Sequence, residues 1–243
     1  MHADPFQMAS DALAGAGGQV SELARPFLRF LPVSGASIST FGPLLGAETI
    51  SATDALAGRV DELQFDLGEG PCWDALGTRR PVLQPNLSDG AQTSWPAFMD
   101  AIRSEKIGAV FAFPLVFGAL DIGAIDLYSV DPVMLTNEQQ RQTLALSAIV
   151  SRILLRHVLK ESDGESEPSM FSRRLIHQAT GMVLAQLGVS AADAHLLIQA
   201  RAFAEGRTMQ QVATDVVERR TRFDDVHPDG TTDHNTDGGL AHE

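Results

Sequence analysis

The sequence predicts an α+β protein in two unequal parts, an antiparallel sheet flanked by helices and then a bundle of three short helices. Two apolar runs rich in β-branched and aromatic residues, Ala109–Phe117 and Leu120–Val130, meet at Gly118-Ala119 and predict a pair of strands. After residue 170, three short segments carry apolar residues at helical spacing instead. The polar, acidic segment Lys160–Ser169 separates the two parts and is typical of a linker or hinge.

Length and composition limit the class of protein. A chain of 243 residues fits one large domain or two unequal ones, and 44% hydrophobic with 20% charged residues is typical of a soluble globular protein. No run of about 18 apolar residues predicts a membrane span, and the N-terminus lacks the basic start and apolar core of a secretory signal. Cys72 is the single cysteine, which excludes an internal disulfide and a zinc site built on paired cysteines. We therefore expect a cytoplasmic protein with no membrane partner.

The larger part is predicted over residues 19–159, after a flexible N-terminus of residues 1–18. Strict alternation and apolar runs predict its strands, and Thr136 with Gln139 forms a capping box that starts a long helix reaching Val158. The other predicted elements are, in chain order, a helix over Gln19–Arg29, strands Ala36–Phe41 and Glu48–Ala52, a helix from Asp54 to about Leu63 capped by Thr53, a Gly/Pro-interrupted loop (QFDLGEGPCWDAL) leading into a short helix, a strand Pro81–Leu83 and a helix Trp95–Ser104.

The smaller part, residues 170–223, is predicted to hold three helices with clear start and stop signals. A unit of about fifty residues buries little apolar surface, so we expect it to need its neighbour or a partner for stability. In chain order the helices are Phe171–Leu187 ended by Gly188, a second helix from Ser190 to Gly206, and a third from Thr208, in a capping box with Gln211, to about Arg219.

The net charge of −13 is distributed unevenly. Residues 170–223 hold seven arginines against four acidic residues, a net charge of +3, whereas residues 224–243 hold six acidic residues and no lysine or arginine. The acidic tail also has almost no apolar content and is expected to be disordered. The basic surplus of the chain therefore belongs to the three-helix part, which is more informative than the total charge.

The first helix of the three-helix part has a polar face beside its apolar stripe. Gly181 lies in the middle of this helix, where glycine costs about 1 kcal/mol relative to alanine. Such a glycine indicates a close approach to the backbone, either by another helix or by a phosphate-bearing chain, and the spacing alone favours neither. The polar face comprises Arg173, Arg174, His177, Gln178, Thr180 and Gly181.

The order of residues over this part resembles the ANTAR family. The resemblance is carried by IHQATGMVLAQLGVSAADAHLLIQARAFAEGRTMQQVATDVV, with its Ala-x-Gly motif at Ala179, its breaks at Gly188 and at Gly206-Arg207, and the Val-Ala-x-x-Val-Val that starts at Val212. It implies recognition of paired RNA hairpins in nascent transcripts, which prevents a terminator from forming. Thr180 stands where many members have lysine and His195 where many have an aromatic residue, which leaves more of the phosphate binding to the arginines. Arginine pairs with phosphates and stacks on the unstacked bases of RNA loops. The candidate RNA contacts are Arg173, Arg174, His177, Gln178, Thr180, Gly181, Arg201 and Arg207.

Residues 19–159 resemble a GAF domain, through FDLGEGPCWDAL (Phe65–Leu76), the FPL of Phe113–Leu115 and IGAIDLYS (Ile122–Ser129). GAF domains are antiparallel sheets flanked by helices that bind small molecules or dimerise, so the resemblance implies a sensory domain. The GEGPCW segment also fits a turn that packs against the sheet, because Gly and Pro mark turns first. The candidate ligand contacts are Phe65, Asp66, Cys72, Trp73 and Trp95, and the sequence assigns no cofactor.

Catalysis and metal binding are not expected. The free-methionine-sulfoxide reductases use a GAF scaffold, but their thiol relay needs more than one cysteine, and Cys72 has no resolving partner in the chain. The histidines of the tail, His227, His234 and His242, are too widely spaced to indicate a metal site. Asp54 lacks the strand pattern and lysine partner of a phospho-acceptor domain.

The sequence thus resembles GAF–ANTAR transcription antitermination regulators of the actinobacterial type, which implies a homodimer that binds RNA under the control of a small-molecule, redox or protein signal. A sensor acting through protein partners, with the three-helix unit as a dimerisation element, is the first alternative, and a redox enzyme on a GAF scaffold is the second. A weaker hypothesis is that the acidic tail competes with RNA for the arginines, against the alternative of a solvated tail with no role.

Overall fold

The computed structural model of the chain describes residues 4–15, 19–41, 47–88, 94–161 and 173–223. These residues form a five-stranded antiparallel sheet flanked by helices, followed by a bundle of three helices. The predicted fold class is therefore confirmed. Residues 162–172, which include most of the predicted linker, lie outside the described residues. So do residues 224–243, the predicted acidic tail.

The sheet has the strand order β2-β1-β5-β4-β3, and every pairing among the described strands is antiparallel. The two strands predicted around Gly118 form the centre of the sheet as β4 and β5, and Gly118 turns the chain between them with φ 59°. The hairpin-like pair predicted near the N-terminus is also present as β1 and β2. The bounds are β1 (Gly35–Thr40), β2 (Glu48–Ala52), β3 (Val82–Gln84), β4 (Ala109–Phe117) and β5 (Leu120–Ser129).

Several of the predicted capping residues are found at helix ends. In the box before the long helix α5, the Thr136 amide donates to Gln139 Oε1 at 2.9 Å and the Gln139 amide donates to Thr136 Oγ1 at 3.2 Å. Gly188 and Gly206 end their helices in the left-handed conformation, with φ 66° and 62°. The bounds are α1 (Pro5–Ala14), α2 (Ala55–Leu67), α3 (Pro71–Thr78), α4 (Pro96–Ala101), α5 (Asn137–Glu161), α6 (Arg174–Leu187), α7 (Ala191–Glu205) and α8 (Met209–Val217).

Two predictions at the start of the chain are wrong. A flexible N-terminus is predicted over residues 1–18, of which the structure describes residues 4–15. Pro5–Ala14 is a helix capped by Asp4, and its Leu13 is buried because α1 packs against α5 and against the segment Arg25–Arg29. The single helix predicted over Gln19–Arg29 is two short 3-10 segments, Val20–Glu22 and Arg25–Arg29. Pro26 has no amide hydrogen and restricts the residue before it, so a continuous α-helix cannot form through this position.

The segment predicted as a loop after residue 63 continues α2 for one more turn. Phe65, Asp66 and Leu67 are helical, and the helix ends only at Gly68, in the left-handed conformation with φ 66°. Asp54, rather than Thr53, caps its start by accepting the Ala57 amide at 2.9 Å. The extra turn matters because it carries Asp66 to the surface that meets the three-helix bundle.

The two faces of the sheet differ sharply in polarity. The face against α1 and α5 carries large apolar side chains, among them Ile38, Phe113 and Ile125. On the face against α2 and α3, Ser37 lies opposite Asp126 and Ser39 opposite Ala124. Side chains alternate between faces along a strand, so the small and polar residues collect on one side.

This polar face encloses two carboxylic acids, Asp61 from α2 and Asp126 from β5, both buried. The Thr49 hydroxyl donates to Asp61 Oδ2. Burial raises the pKa of Asp61 to about 6. Burial is also the main cause that raises the pKa of Asp126 well above its usual range, and the neighbouring charge of Asp61 raises it further. Among the described residues, four buried polar atoms make no hydrogen bond of good geometry: Ser39 Oγ, Asp61 Oδ1, Gln64 Nε2 and Asp126 Oδ2. Ser39 and Gln64 nevertheless lie close enough to Asp61 and Asp126, respectively, to lower the pKa of each carboxyl in part.

The raised pKa values predict that the protein is more stable in mild acid than at neutral pH. A carboxyl whose pKa is higher in the folded chain holds a proton there that the unfolded chain has lost, so its contribution to stability is lost as the pH rises through about 6. Asp126→Asn keeps a neutral side chain at this position and removes one of the two titrating carboxyls, so we expect a higher melting temperature at about pH 7.5 and a smaller difference between the melting temperatures at about pH 7.5 and about pH 5.

Thermal unfolding followed by circular dichroism at both pH values measures this effect. Asp131→Asn, at an exposed position just after β5, is the matched control and should keep the wild-type pH dependence. A pH dependence in Asp126→Asn as steep as in the wild type would contradict the raised pKa of Asp126.

Candidate functional site

The three-helix bundle has the core that its sequence predicts. The buried residues come from all three helices, and Phe223 closes the cluster after α8. Leu175, Met182, Leu187 and Val217 pack against this cluster but are only partly buried, and Leu197 is 37% exposed. The buried set is Ile176, Ala179, Val183, Ala194, Ile198, Ala202, Met209, Val212, Ala213 and Val216.

One face of α6 is open to solvent. His177, Gln178 and Gly181 are exposed, whereas Thr180 is half-buried and its hydroxyl donates to the Ile176 carbonyl at 2.8 Å. A Cβ placed on Gly181 would meet no described atom within 4 Å. No helix of the described chain therefore requires glycine at this position. Of the two explanations for this glycine, the geometry favours close approach by another molecule over contact with a helix of the same chain.

Two of the predicted RNA contacts lie in ion pairs within the bundle. Arg201 Nε is 2.8 Å from Glu205 Oε1, and its guanidinium lies 5.3 Å from the centre of the Phe223 ring. Arg207 pairs with Glu205 at 2.9 Å and with Asp215 at 2.5 Å. Hydrogen bonds from Arg201 and then Arg207 lower the pKa of Glu205. The side chain of Arg174 lies outside the described part of the chain.

Arg173 is directed away from solvent, toward the N-terminal part. Its side chain is 8% exposed, and Nη2 lies 3.0 Å from Asp66 Oδ1 at the end of α2. The guanidinium also lies 5.0 Å from the centre of the Phe65 ring, a cation–π contact. A predicted RNA contact and two predicted ligand contacts, Phe65 and Asp66, therefore meet at the junction between the two parts.

Asp66 is bound by residues from the remaining two helices of the bundle as well. The Met209 amide, at the first position of α8, donates to Asp66 Oδ2 at 3.0 Å. The Gln199 side-chain amide, from α7, donates to the Asp66 carbonyl. Both donors lie far from Asp66 in sequence and were missed by sequence reasoning, since no local pattern marks them. All three helices of the bundle thus converge on the last turn of α2.

Two histidines lie close to this junction. Partial burial of the rings, and next the neighbouring Arg173, lower the pKa of His177 and of His195 below the ordinary value for histidine. Neutral histidines leave Arg173 as the charged group, and the Asp66 carboxylate balances it. Removing one partner of such a buried pair costs about 3–5 kcal/mol, because the other charge stays buried and uncompensated.

The last turn of α2 also contacts the interior of the sheet domain. Gln64 Oε1 accepts the Cys72 amide at 2.8 Å, and the Gln64 carbonyl accepts the Trp73 indole N–H at 2.7 Å. Phe65 stacks on Phe41 with ring centres 4.8 Å apart. Three of the predicted ligand contacts therefore lie in one cluster: Phe65, Cys72 and Trp73.

Trp95 belongs to a separate cluster with Phe98, and its indole N–H donates to Asp74 Oδ2 at 3.0 Å. Cys72 is fully buried, and burial, followed by Asp126 and Asp61, raises the pKa of its thiol well above the usual value. A thiol in that state is a poor nucleophile. The buried acids were not singled out from the sequence, although Asp126 within the apolar run IGAIDLYS was a signal that could have found them.

Two cavities open at the junction. The larger, of about 880 Å³, lies between α2 and α4 on one side and α7 on the other, with Leu63, Leu67, Ala97 and Phe203 among its apolar lining. The smaller, of about 590 Å³, is lined by residues including Thr49, Arg59, Glu62 and Arg173.

No group of three or more His, Cys, Asp or Glu residues in the described ranges is placed to hold a metal ion. Over the same ranges, no single helix is long and apolar enough to cross a membrane; α6 and α7 reach that length only together, across a bend of 108°.

Solved structures support the fold of the larger part. A GAF domain from an Acinetobacter phosphoenolpyruvate-protein phosphotransferase superposes with a TM-score of 0.51 at 11% identity, over 68% of this chain and 96% of that one. The GAF domain of the Coxiella burnetii protein of the same name gives 0.50 at 10% identity, over 65% and 95%. A free methionine-R-sulfoxide reductase from Neisseria meningitidis gives 0.49 at 11% identity, over 66% and 96%, which is too distant to carry an argument about chemistry.

Family models match both parts of the chain, although no curated protein matches its sequence. The GAF domain model matches residues 20–154, and the ANTAR domain model matches residues 169–217. Both are regulatory domains. Because the first match extends over more than half of the chain and the second lies C-terminal to it, this protein belongs to the GAF domain family and carries a C-terminal ANTAR domain.

Proposed function

We propose that the protein is a transcription antitermination regulator, in which the GAF domain receives a signal and controls the binding of the ANTAR domain to paired hairpins in nascent RNA. The observation that carries the proposal is the open face of α6 around Gly181, on a domain of the RNA-binding ANTAR type. Since nascent RNA is the proposed partner, the proposed place of action is the cytoplasm.

The α6 face suits an RNA loop for a physical reason. His177 and Gln178 offer hydrogen-bonding groups to base edges, and the missing side chain of Gly181 lets a phosphate or a base reach the helix backbone. Phosphate contacts release counterions, so the affinity for RNA should fall steeply as salt is raised from about 50 to about 200 mM.

Gly181→Ala should stabilise the protein while weakening RNA binding. Alanine favours the helix by about 1 kcal/mol, and its Cβ meets no described atom, so the melting temperature should rise by a few degrees. The same methyl group blocks close approach from outside, so the affinity for a two-hairpin RNA in a gel-shift titration should fall about tenfold, a loss of about 1.4 kcal/mol.

Gly77→Ala in α3 is the matched control, because Gly77 is also helical and also has open space where its Cβ would lie. It should stabilise the protein without changing RNA affinity. Unchanged RNA binding in Gly181→Ala would remove the α6 face from the interface, and a change in sedimentation alone would assign Gly181 to contact with a second copy.

For the signal, we propose a small polar molecule that binds in the interior of the GAF domain. Ser39, Asp61, Gln64 and Asp126 present hydroxyl, carboxyl and amide groups to this interior, and one polar atom of each makes no hydrogen bond of good geometry, so they offer both donors and acceptors to such a ligand. Phe65 and Trp73, beside Gln64 on the same side of the sheet, supply apolar contact. A ligand here would act one helical turn from the junction with the ANTAR domain.

The buried Cys72 makes ligand binding a better proposal than thiol chemistry. Because the thiol is fully buried and its pKa is raised, it should react with a disulfide reagent such as dithionitrobenzoate only as fast as the protein unfolds. The measurement compares the rate in buffer with the rate in denaturant. Rapid labelling of the native protein would favour a redox input instead.

We further propose that the protein acts as a homodimer through α7. Leu196, Ala200 and Phe203 lie along one face of this helix, and Leu196 and Phe203 are 58% and 77% exposed beside the apolar cavity of the junction. A second copy that places its own Phe203 in this cavity would cover both surfaces by twofold symmetry.

Phe203→Gln removes the largest exposed apolar side chain of this face, so it should shift the protein toward monomer in analytical ultracentrifugation, by about tenfold in the dissociation constant. Met134→Gln, at another apolar residue that is 77% exposed, is the control and should leave the equilibrium unchanged. Equal sedimentation of Phe203→Gln and the wild type would remove α7 from the dimer interface.

A further inference from the structure

We infer that the ANTAR domain contains a phosphate-binding subsite, formed by the Arg173 guanidinium and the Met209 amide at the start of α8, and that Asp66 of the GAF domain fills it in place of an RNA phosphate. The inference rests on the proposed function, since it assigns a phosphate contact to the same RNA. Its consequence is that docking of the GAF domain and binding of RNA exclude one another.

The geometry at Asp66 is that of an anion site. Each carboxylate oxygen receives one donor of the ANTAR domain: Oδ1 faces Arg173 Nη2 at 3.0 Å, and Oδ2 accepts the Met209 amide at 3.0 Å. Two oxygens of a phosphate group can accept the same pair of donors. The amide belongs to the first turn of a nine-residue helix, whose free N–H groups and dipole favour negative charge.

The electrostatic surroundings also favour an anion. After burial, the charge of Arg173 is the next cause that lowers the pKa of His177 and of His195, so both rings lie near the guanidinium. Within the ANTAR domain, the groups around this arginine are the two histidines and the positive end of α8, whereas the nearby carboxyls of Asp61, Glu62 and Asp66 all belong to the GAF domain. The ANTAR domain thus presents donors at this point, and the acceptor comes from the other domain.

The subsite continues the open face of α6. Arg173, His177 and Gly181 follow one another at intervals of four residues, which places them along one side of the helix. A phosphate bound at Arg173 would therefore lie one turn from the exposed residues of that face. With Asp66 in place the Arg173 side chain is 8% exposed, so a phosphate can enter only after α2 has moved away.

The hydrogen bond from Gln199 holds Asp66, the group that competes with phosphate, in position. Its side-chain amide donates to the Asp66 carbonyl and so fixes the main chain of the last turn of α2 against α7. Gln64, two residues earlier, is tied to Cys72 and Trp73 in the GAF interior. A ligand that shifts this turn would withdraw Asp66 and open the subsite.

The test measures RNA affinity in the full chain by fluorescence anisotropy with a two-hairpin RNA. Asp66→Asn removes the competing charge and should tighten binding about tenfold, the range expected for one hydrogen bond to a charged group. Arg173→Gln added to Asp66→Asn should reverse this gain and reduce the slope of log affinity against log salt by about one, as for the loss of a single phosphate contact.

Two further variants separate the local effect from general ones. Asp100→Asn removes an exposed carboxylate that lines the same junction cavity and pairs with Arg103, so it should leave RNA affinity unchanged. Asp66→Ser empties the subsite by a second route and should behave like Asp66→Asn. An equal gain in Asp100→Asn, or no gain in both Asp66 variants while RNA still binds, would overturn the subsite and leave the proposed RNA function standing.

Inorganic phosphate gives a test that needs no RNA. Added to ¹⁵N-labelled Asp66→Asn protein, it should shift the amide resonance of Met209, and the shift should be lost when Arg173→Gln is added. A phosphate-dependent shift without hairpin binding would support the subsite and reject the proposed function. The absence of any shift would overturn the subsite.

Discussion

The buried ion pair between Asp66 and Arg173 is the contact on which the arrangement of the two domains depends. Both side chains are almost excluded from solvent and lie 3.0 Å apart, and the carboxyls of Asp61 and Glu62 also lie close enough to interact with the charge of Arg173. A buried charge without its partner is strongly unfavourable, so the two domains must meet here with good geometry or separate fully. That property makes the junction suited to two discrete states rather than to a graded response.

Helix α2 links this junction to the interior of the GAF domain. Asp61 and Gln64 face the polar side of the sheet, whereas Asp66, at the end of the same helix, faces the ANTAR domain. The interior is incompletely satisfied, with four buried polar atoms that make no hydrogen bond of good geometry among the described residues. Such groups carry a free-energy cost that a bound polar molecule can offset. This free-energy cost therefore arises one helical turn from the contact that holds the two domains together.

The charges of the ANTAR domain are largely balanced within the protein. Arg201 and Arg207 pair with Glu205 and Asp215, and Arg173 pairs with the GAF domain. The excess of positive charge in this segment is therefore not displayed as a broad basic surface in the docked arrangement. Recognition of an anionic polymer then depends on a few placed donors and on the state of the junction, more than on long-range attraction.

The sequence by itself determined the features that are set within a few residues. Gly188, Gly206 and the Thr208–Gln211 capping box fixed the ANTAR helices, because the hydrogen bonds that end a helix are local. Only the tertiary structure decided the partner of Arg173, which lies 107 residues away. It likewise decided that Asp126 faces Asp61 and that α2 extends to Asp66, because long-range partners follow from how the elements pack and leave no local pattern.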